Sequence, residues 1–533
     1  MVFNSSTSTD YLDLLSQLIT TVTSRHLDAI AINAAGTGYV AGDILGITAT
    51  GSTSTLVAKI EVLTVGGGGN ITAARVYRGG AYTVDPSTTT GNAATGGTGT
   101  GATFNLTMAA GGWTKVRRSQ VAVSAVVSAG GSGYSVGNQL TLVTGGGING
   151  DGGSSAIFQV ATTGGGGSVA TVTLVQAGNY EKTPGNPAAT TGGAGTGATL
   201  TVTYADASTV DQIVILEGTG LSGSDTIFVG IKTFNGTVSL NHYYNWMLLG
   251  FTGFTSSLSF GQQPGISPGL SNVDAIVDQV GAVVPLKTSD AHNMTWWINH
   301  NGRRIILVVK VTDGTTTNYM QAYLGLLNQF GTSTEYPYPL MVAGPTNNIQ
   351  QLYNENTVLI GGLTEVISHT ASNPAGTMLV RRPGGTWKAY AAEDTTGSSN
   401  RSIENAFGVY PIGGFTLPSP TEDNATSSLG LTWASFIPQS GVPGTLSIIL
   451  KPTPGSSTTI YWLVAPFVYE TDSATGYPAG WNVLGELDSV FFFMVGQTGV
   501  VSEDRFSVST DRYTVFKNGN RSQDWSFMAL KEN

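Results

Sequence analysis

The chain has no cysteine among its 533 residues. That absence removes disulfide scaffolds, thiolate metal sites and cysteine nucleophiles together, and it leaves stability to packing and subunit contacts. Charge is scarce too. Lys, Arg, Asp and Glu make up 11% of the chain, less than half the usual proportion, and Ser, Thr, Asn and Gly fill the gap. What charge there is runs acidic, with a formal net of −10. A nucleic-acid partner requires a basic face that displaces counterions from phosphates. The densest basic cluster, Lys115, Arg117 and Arg118 in "WTKVRRS", is too small to supply one, so no nucleic acid is expected as a partner. No stretch approaches the roughly 18 uncharged apolar residues of a spanning helix, so no membrane insertion is expected. "MVFNSSTSTD" has neither the basic n-region nor the apolar h-region of a secretory leader.

Length alone suggests about two to four domains, and apolar residues, at 40%, suffice to fill their cores. One helix is legible. In "TDYLDLLSQLITTVTS", Tyr11, Leu14, Leu15, Leu18, Ile19 and Val22 recur at the 3.6-residue period. Asp13, Ser16, Gln17, Thr20 and Thr21 fall on the other side, with Ser8 or Thr9 available as the cap. A stripe of this kind has to dock on something.

Glycine is then abundant: 38 of the 73 fall between Gly36 and Gly197, and they recur in register. "AAGTGYVAGDIL" around Tyr39 returns as "AGGSGYSVGNQL" around Tyr134, and "GGAYTVDP" around Tyr82 returns as "AGNYEKTP" around Tyr180. "TGGTGTGATFNLT" from Thr95 returns as "TGGAGTGATLTVT" from Thr191. Three landmarks repeating at about 95 residues mark a duplicated module. Within each copy, strand-like runs ("VAKIEVLTV", "ATFNLTM", "QLTLV", "AIFQVAT", "VATVTLV") alternate with glycine clusters. The G-x-G-Y-x-x-G words read as turn chemistry, with glycine supplying positive φ and the tyrosine laid over the turn to cover a small core.

Beyond Tyr204 glycine thins and aromatics rise. "QIVILEG", "DTIFVGIKTF", "GTVSLNHYYNWMLLGF", "MTWWINHNGRRIILVVKV", "TWKAYAAED", "STTIYWLVAPFVYE", "DSVFFFMVG" and "DRYTVFKNG" read as strands, with Asn301-Gly302 the clearest hairpin turn. Helical periodicity reaches at most "YMQAYLGLLNQF". The expected fold is mainly β: an antiparallel β base domain with one N-terminal helix and two duplicated Gly-rich β modules.

Motifs of known chemistry fail on their context. "GTGLSG" from Gly218 to Gly223 matches a dinucleotide fingerprint, but a strand follows where the fingerprint needs a helix N-terminus for the pyrophosphate. "GISPG" matches a nucleophile elbow at Ser267, yet the next residue, Pro268, has no N–H for an oxyanion hole. His26, His242, His292, His300 and His369 show no paired spacing, so core or surface roles are preferred over a zinc site. "GGGINGDGG" around Asp151 resembles one copy of a calcium repeat that works only in tandem, and Asp43, a potential repeated ligand, is Asn138 in the second copy. Carboxylate pairs for glycoside hydrolysis depend on spatial, not sequence, spacing. Tyr243, Tyr244, Trp246, Trp296 and Trp297 are candidates for sugar stacking, although alternating strands bury such residues more often than they display them. No catalytic, cofactor-binding or metal-binding residue is assigned, no cofactor is expected, and the chain is read as not an enzyme.

Several longer words, in order, carry a resemblance. They are "STSTDYLDLLSQLITTV", "GGWTKVRRS", "LEGTGLSGSDTIFVGIKTF" with "YYNWMLLGFTGF", "YLGLLNQFGTSTEYPYPLMVAG" and "LGELDSVFFFMVG". Together they resemble a group of structural proteins of tailed-bacteriophage virions, and the Gly-rich modules resemble G-x-G-Y-x-x-G-D elements of phage tail and fibre proteins. In that group the helix, the Trp113 segment and the block from about Asp211 belong together. The resemblance therefore implies a base domain of residues 1–25, 109–119 and 205–533, with modules 26–108 and 120–204 as two insertions. It implies localisation in the virion, with other virion proteins as partners, and the first reading of its place there is the tail, baseplate or collar. The alternatives are a receptor- or glycan-binding adhesin or tail fibre, with a host-surface glycan as partner, and a capsid decoration protein. A large β-rich chain with few charges and no disulfides also has edges and faces to cover, which points to a symmetric homo-oligomer, a trimer or hexamer.

Overall fold

The computed structural model describes residues 1–143, 154–238, 241–268, 282–287, 294–313, 316–345, 378–389, 407–411, 462–464, 466–471, 481–494, 501–517 and 526–532. The protein is mainly β, its sheets are antiparallel, and it has one α-helix among the described residues.

The chain opens on a strand that its polar wording hides. Val2–Ser8 pairs along its length with Met294–His300, Val2 opposite His300 and Ser8 opposite Met294. Val2 and Phe3 are buried. The buried Asn4 amide is satisfied on the Gly80 backbone, donating to the carbonyl at 3.2 Å and accepting from the N–H at 2.8 Å. The helix follows at Tyr11–Thr23, and its cap is Asp10, not Ser8 or Thr9. The Asp10 carboxylate accepts from the N–H groups of Leu12 and Asp13, two first-turn donors with no partner inside the helix. Thr21, expected on the polar side, is buried with the stripe.

Two sheets clasp this helix. One runs, in spatial order, Thr114–Arg118, Ile213–Thr219, Thr226–Val238, Asn241–Phe251 and Ala282–Leu286. The other runs Val2–Ser8, Met294–His300, Arg304–Asp313, Thr316–Leu326, Leu340–Ala343, Met378–Arg381 and Trp387–Ala389. Alternate residues of both sheets meet the helix stripe in one core, where Leu14, Leu18 and Val22 join Trp113, Leu216, Trp246, Trp296, Leu307 and Met320. The indole N–H groups bond to the helix, Trp246 to the Tyr11 carbonyl at 3.1 Å and Trp296 to the Gln17 amide oxygen at 2.9 Å.

The reverse faces are covered as well. Ile215, Met247 and Phe251 pack with Phe260, while Trp297, Ile306, Val308 and Tyr323 pack with Leu484, Phe516 and Met528 of the C-terminal strands. A sheet buried on both faces takes apolar residues at successive positions instead of alternating. That explains the unbroken "TWWIN" and "IILVV". It also explains why "YMQAYLGLLNQF" is no helix: most of it belongs to the strand Thr316–Leu326, with Met320, Ala322 and Leu324 in one core and Tyr323 in the other. The chain reverses at Asn301-Gly302, where Gly302 has a φ of 78°.

The two modules share one strand order, and module 1 adds a short pairing of Thr53–Leu56 with Ala81–Val84. Each is a six-stranded sheet curled towards a barrel. Module 1 orders its strands His26–Thr37, Thr100–Ala109, Asn92–Thr95, Ile44–Thr48, Lys59–Val65, Ile71–Arg78. Module 2 repeats that order as Gln120–Ser132, Thr196–Asp206, Ala188–Thr191, Gln139–Leu142, Ile157–Thr163, Val169–Gln176. In both, the incoming and outgoing strands are neighbours, with His26 opposite Ala109 and Gln120 opposite Asp206. The chain therefore leaves each module beside the point where it came in. Of the runs "TWKAYAAED" and "STTIYWLVAPFVYE", the parts beyond Ala389 and before Trp462 lie outside the described residues.

Candidate functional site

The repeated motif is turn geometry in both copies. Gly36, Gly38 and Gly42 and their counterparts Gly131, Gly133 and Gly137 all have positive φ. A Cβ at Gly36 or Gly131 would lie 2.5 or 2.2 Å from the carbonyl oxygen of Thr100 or Thr196, so no larger residue fits there. Tyr39 and Tyr134 are 2% and 4% exposed, and their N–H groups donate to the Gly69 and Gly167 carbonyls at 2.9 Å. Tyr82 and Tyr180 are buried too, and their hydroxyls accept from the N–H groups of Ala58 and Ala156 at 3.1 and 2.6 Å.

Asp43 and Asn138 close the same loop. Asp43 Oδ2 accepts from the N–H groups of Val40 and Thr98 and from the Thr98 hydroxyl; Asn138 Oδ1 accepts from the N–H groups of Ser135 and Ala194. The Val40 N–H, then that of Thr98, hold the Asp43 carboxyl below the usual carboxylate range. One oxygen does this work in each copy, Oδ2 of Asp43 and Oδ1 of Asn138, which accounts for Asp and Asn at equivalent positions.

The two module sheets meet the rest of the chain through different chemistry. In module 1, Tyr77 lies under two guanidinium groups, Arg505 at 4.3 Å and Arg512 at 4.8 Å from the ring centroid, and accepts from Arg505. Arg512 pairs with Glu61 and, at 3.1 Å, with Glu532, while Arg75 reaches Glu61 at 3.0 Å and Arg505 reaches Glu532 at 3.0 Å. The same strand position in module 2 is Val175, 52% exposed. Module 2 is held instead by Arg117, which donates to Glu181 at 3.2 Å and to the carbonyls of Leu258 and Ser256 at 2.9 and 2.8 Å, and lies 5.0 Å from the Phe254 ring centroid. Glu181 also accepts from the Phe260 N–H. Burial pushes the Glu181 carboxyl up and the Arg117 guanidinium down, so desolvation outweighs their attraction and the pair serves position more than stability.

A third constellation was not visible in sequence. His26 and His300 are buried, with rings 6.0 Å apart and edge to face. They meet where the first strand of module 1, the Gly111–Trp113 segment and the base strand Met294–His300 converge. His300 Nδ1 lies 3.1 Å from the Gly111 carbonyl oxygen, while His300 Nε2 and His26 Nδ1 are buried without a hydrogen-bond partner. The segment between them has no slack. A Cβ on Gly111 would lie 2.2 Å from the Val22 carbonyl oxygen at the helix end, and one on Gly112 2.6 Å from Gly302 Cα. Burial, with the neighbouring positive groups, lowers the imidazoles from the ordinary 6.5 to about 4 at His26 and about 3 at His300.

Gly218 to Gly223 is the end of a hairpin closed by Asp225, whose carboxylate accepts from the N–H groups of Leu221 and Ser222. Ser267 is buried and accepts from the Gly250 N–H at 3.1 Å. Trp246, Trp296 and Trp297 are core residues, and Tyr243 and Tyr244 are half-buried. His242 is exposed, 3.0 Å from the Thr237 hydroxyl. His292, His369 and Asp151 lie outside the described residues. Among the described residues no three His, Asp or Glu side chains gather as a metal site requires, and no helix is long and apolar enough to cross a membrane. Neither a protein-family model nor a curated protein matches this chain.

Proposed function

We propose that the chain is a non-enzymatic structural component of a tailed-phage virion, in the tail, baseplate or collar. In this reading it assembles as a homo-oligomer and carries the two Gly-rich modules as insertions in a base domain. The observation that supports it is the rooting of the modules. Each begins and ends on paired neighbouring strands, and each is fixed to the base through a network of buried or half-buried charges. That construction suits a part that holds two like elements in fixed poses. The resemblance of the ordered words to those of virion proteins points the same way. The glycan-binding alternative has lost Trp246, Trp296 and Trp297, which have no face to offer a sugar.

The test is electron microscopy of particles containing the chain, with its copy number measured, alongside light scattering of the purified protein. A ring or fibre of copies at the tail, baseplate or collar is the expected result. Absence from particles, together with a monomer at high concentration, would overturn the reading.

A further inference from the structure

We propose that His26 and His300 form an acid-operated latch at the root of module 1. A proton taken up by either imidazole opens the junction between that module, the Gly111–Trp113 segment and the Asn301-Gly302 hairpin, while the base core stays folded.

A carbonyl oxygen only accepts, so His300 Nδ1, 3.1 Å from the Gly111 oxygen, carries the proton of the neutral ring. Nε2 is left as a buried lone pair, and His26 Nδ1 is likewise without a partner. A further proton on His300 must go to Nε2, where no acceptor lies within hydrogen-bond reach. A buried cation without a partner is expelled or hydrated. Hydration requires room, and the close approaches of Gly111 to the Val22 carbonyl and of Gly112 to Gly302 leave none unless the segments part.

The charges around the pair do not compensate. His26 faces Asp28, 4.0 Å away and with a half-exposed carboxylate. Against that stand Arg25, itself paired with Asp85 at 2.7 Å, and the Met1 ammonium. His300 faces His26, the N-terminal ammonium and Arg304, whose guanidinium is paired with Asp488 at 2.8 Å. The helix end and the Gly79-Gly80 turn present neutral backbone here: the Val22 and Ser24 carbonyls crowd Gly111, and Gly79 packs on the His26 Cβ.

The direction follows from linkage. Both folded-state values lie below the ordinary 6.5, so the unfolded or opened chain binds more protons. The junction's stability is full above about 6.5 and is lost as pH falls towards 4 and then 3.

Hydrogen exchange on the full chain at pH 7.0 and pH 4.5, corrected for intrinsic rates, tests this. Amides of residues 22–28, 109–113 and 296–302 are expected to gain at least tenfold in exchange at the lower pH, while those of 320–326 hold. The variant His300→Gln keeps a donor and an acceptor but gains no charge, so its acid response should shrink at least threefold. Equal junction exchange at the two pH values, or an undiminished response in His300→Gln, would overturn the latch. If that variant does not fold, ring-carbon NMR of the histidine-labelled native chain decides. Imidazoles of His26 and His300 that titrate at ordinary values with the junction still protected would also refute it.

Discussion

At the scale of single residues, the module tyrosines do two jobs that substitution separates. Tyr82 and Tyr180 fill space, and their hydroxyls accept from the buried N–H groups of Ala58 and Ala156. Replacement by Phe keeps the ring and leaves an N–H without a partner, which costs about 1–2 kcal/mol. Replacement by Ala also opens a cavity and should cost about 3 kcal/mol or more. Tyr39 and Tyr134 accept at 3.4 Å from Ala102 and Ala198, a longer contact, so their Phe variants should lose less than those of Tyr82 and Tyr180. Denaturant melts followed by module-specific hydrogen exchange would check this, and each loss should stay within its own module. A Tyr180→Phe variant as stable as the native chain would contradict the assignment. The role of these tyrosines was legible because turn chemistry is local: glycine φ and a following aromatic are written within eight residues. The His26 and His300 pair was not legible, since nothing near either residue announces the other.

At the scale of elements, what could be read depended on whether one face or two were covered. The helix showed its stripe because only that side is fully buried. Its cap was misplaced by one or two residues because Ser8, Thr9 and Asp10 are all competent, and the choice fell to where the strand Val2–Ser8 ends. That strand was missed because its pairing with Met294–His300 and the Asn4 contact with Gly80 are tertiary, while "NSSTS" has no β pattern of its own. The strand Thr316–Leu326 looked helical because burial on both sides erased the alternation. Module 2's seat gives an element-scale prediction. Arg117 serves Glu181 and the carbonyls of Leu258 and Ser256, so Arg117→Ala strands several buried acceptors and should cost about 3 kcal/mol. Glu181→Gln still accepts from Arg117 and the Phe260 N–H while removing a charge that burial disfavours, and should change stability by less than about 1 kcal/mol. Thermal melts of the two variants check the asymmetry, and equal losses would mean that the ion pair itself, not the carbonyl cradle, holds the seat.

At the scale of the whole molecule, the paired module ends make a stronger prediction than composition could. The helix stripe is covered by the two base sheets and Trp113, and neither module contributes to the core cluster that contains it beyond the partly buried Leu56 at its margin. If the modules are insertions, either can be excised and the base closed over the gap. Joining Arg25 to Ala110 bridges a point where His26 already lies opposite Ala109, and joining Ser119 to Ala207 bridges the pairing of Gln120 with Asp206. The two deletions should not be equal. Removing module 1 takes Glu61 and Tyr77 from Arg505 and Arg512 and leaves Glu532 as the carboxylate paired with both. It also takes His26 from His300 and Gly80 from Asn4. Removing module 2 takes Glu181 from Arg117, which keeps its carbonyl partners, and Asp206 from the half-exposed Lys115. The chain lacking module 2 should therefore melt as one cooperative base unit close to the native temperature, and the chain lacking module 1 several degrees lower. Calorimetry on both, with far-ultraviolet circular dichroism to verify the remaining β content, decides the point. A base that fails to fold in either deletion, while the excised modules fold alone, would mean that the modules are structural supports of the core and not passengers on it.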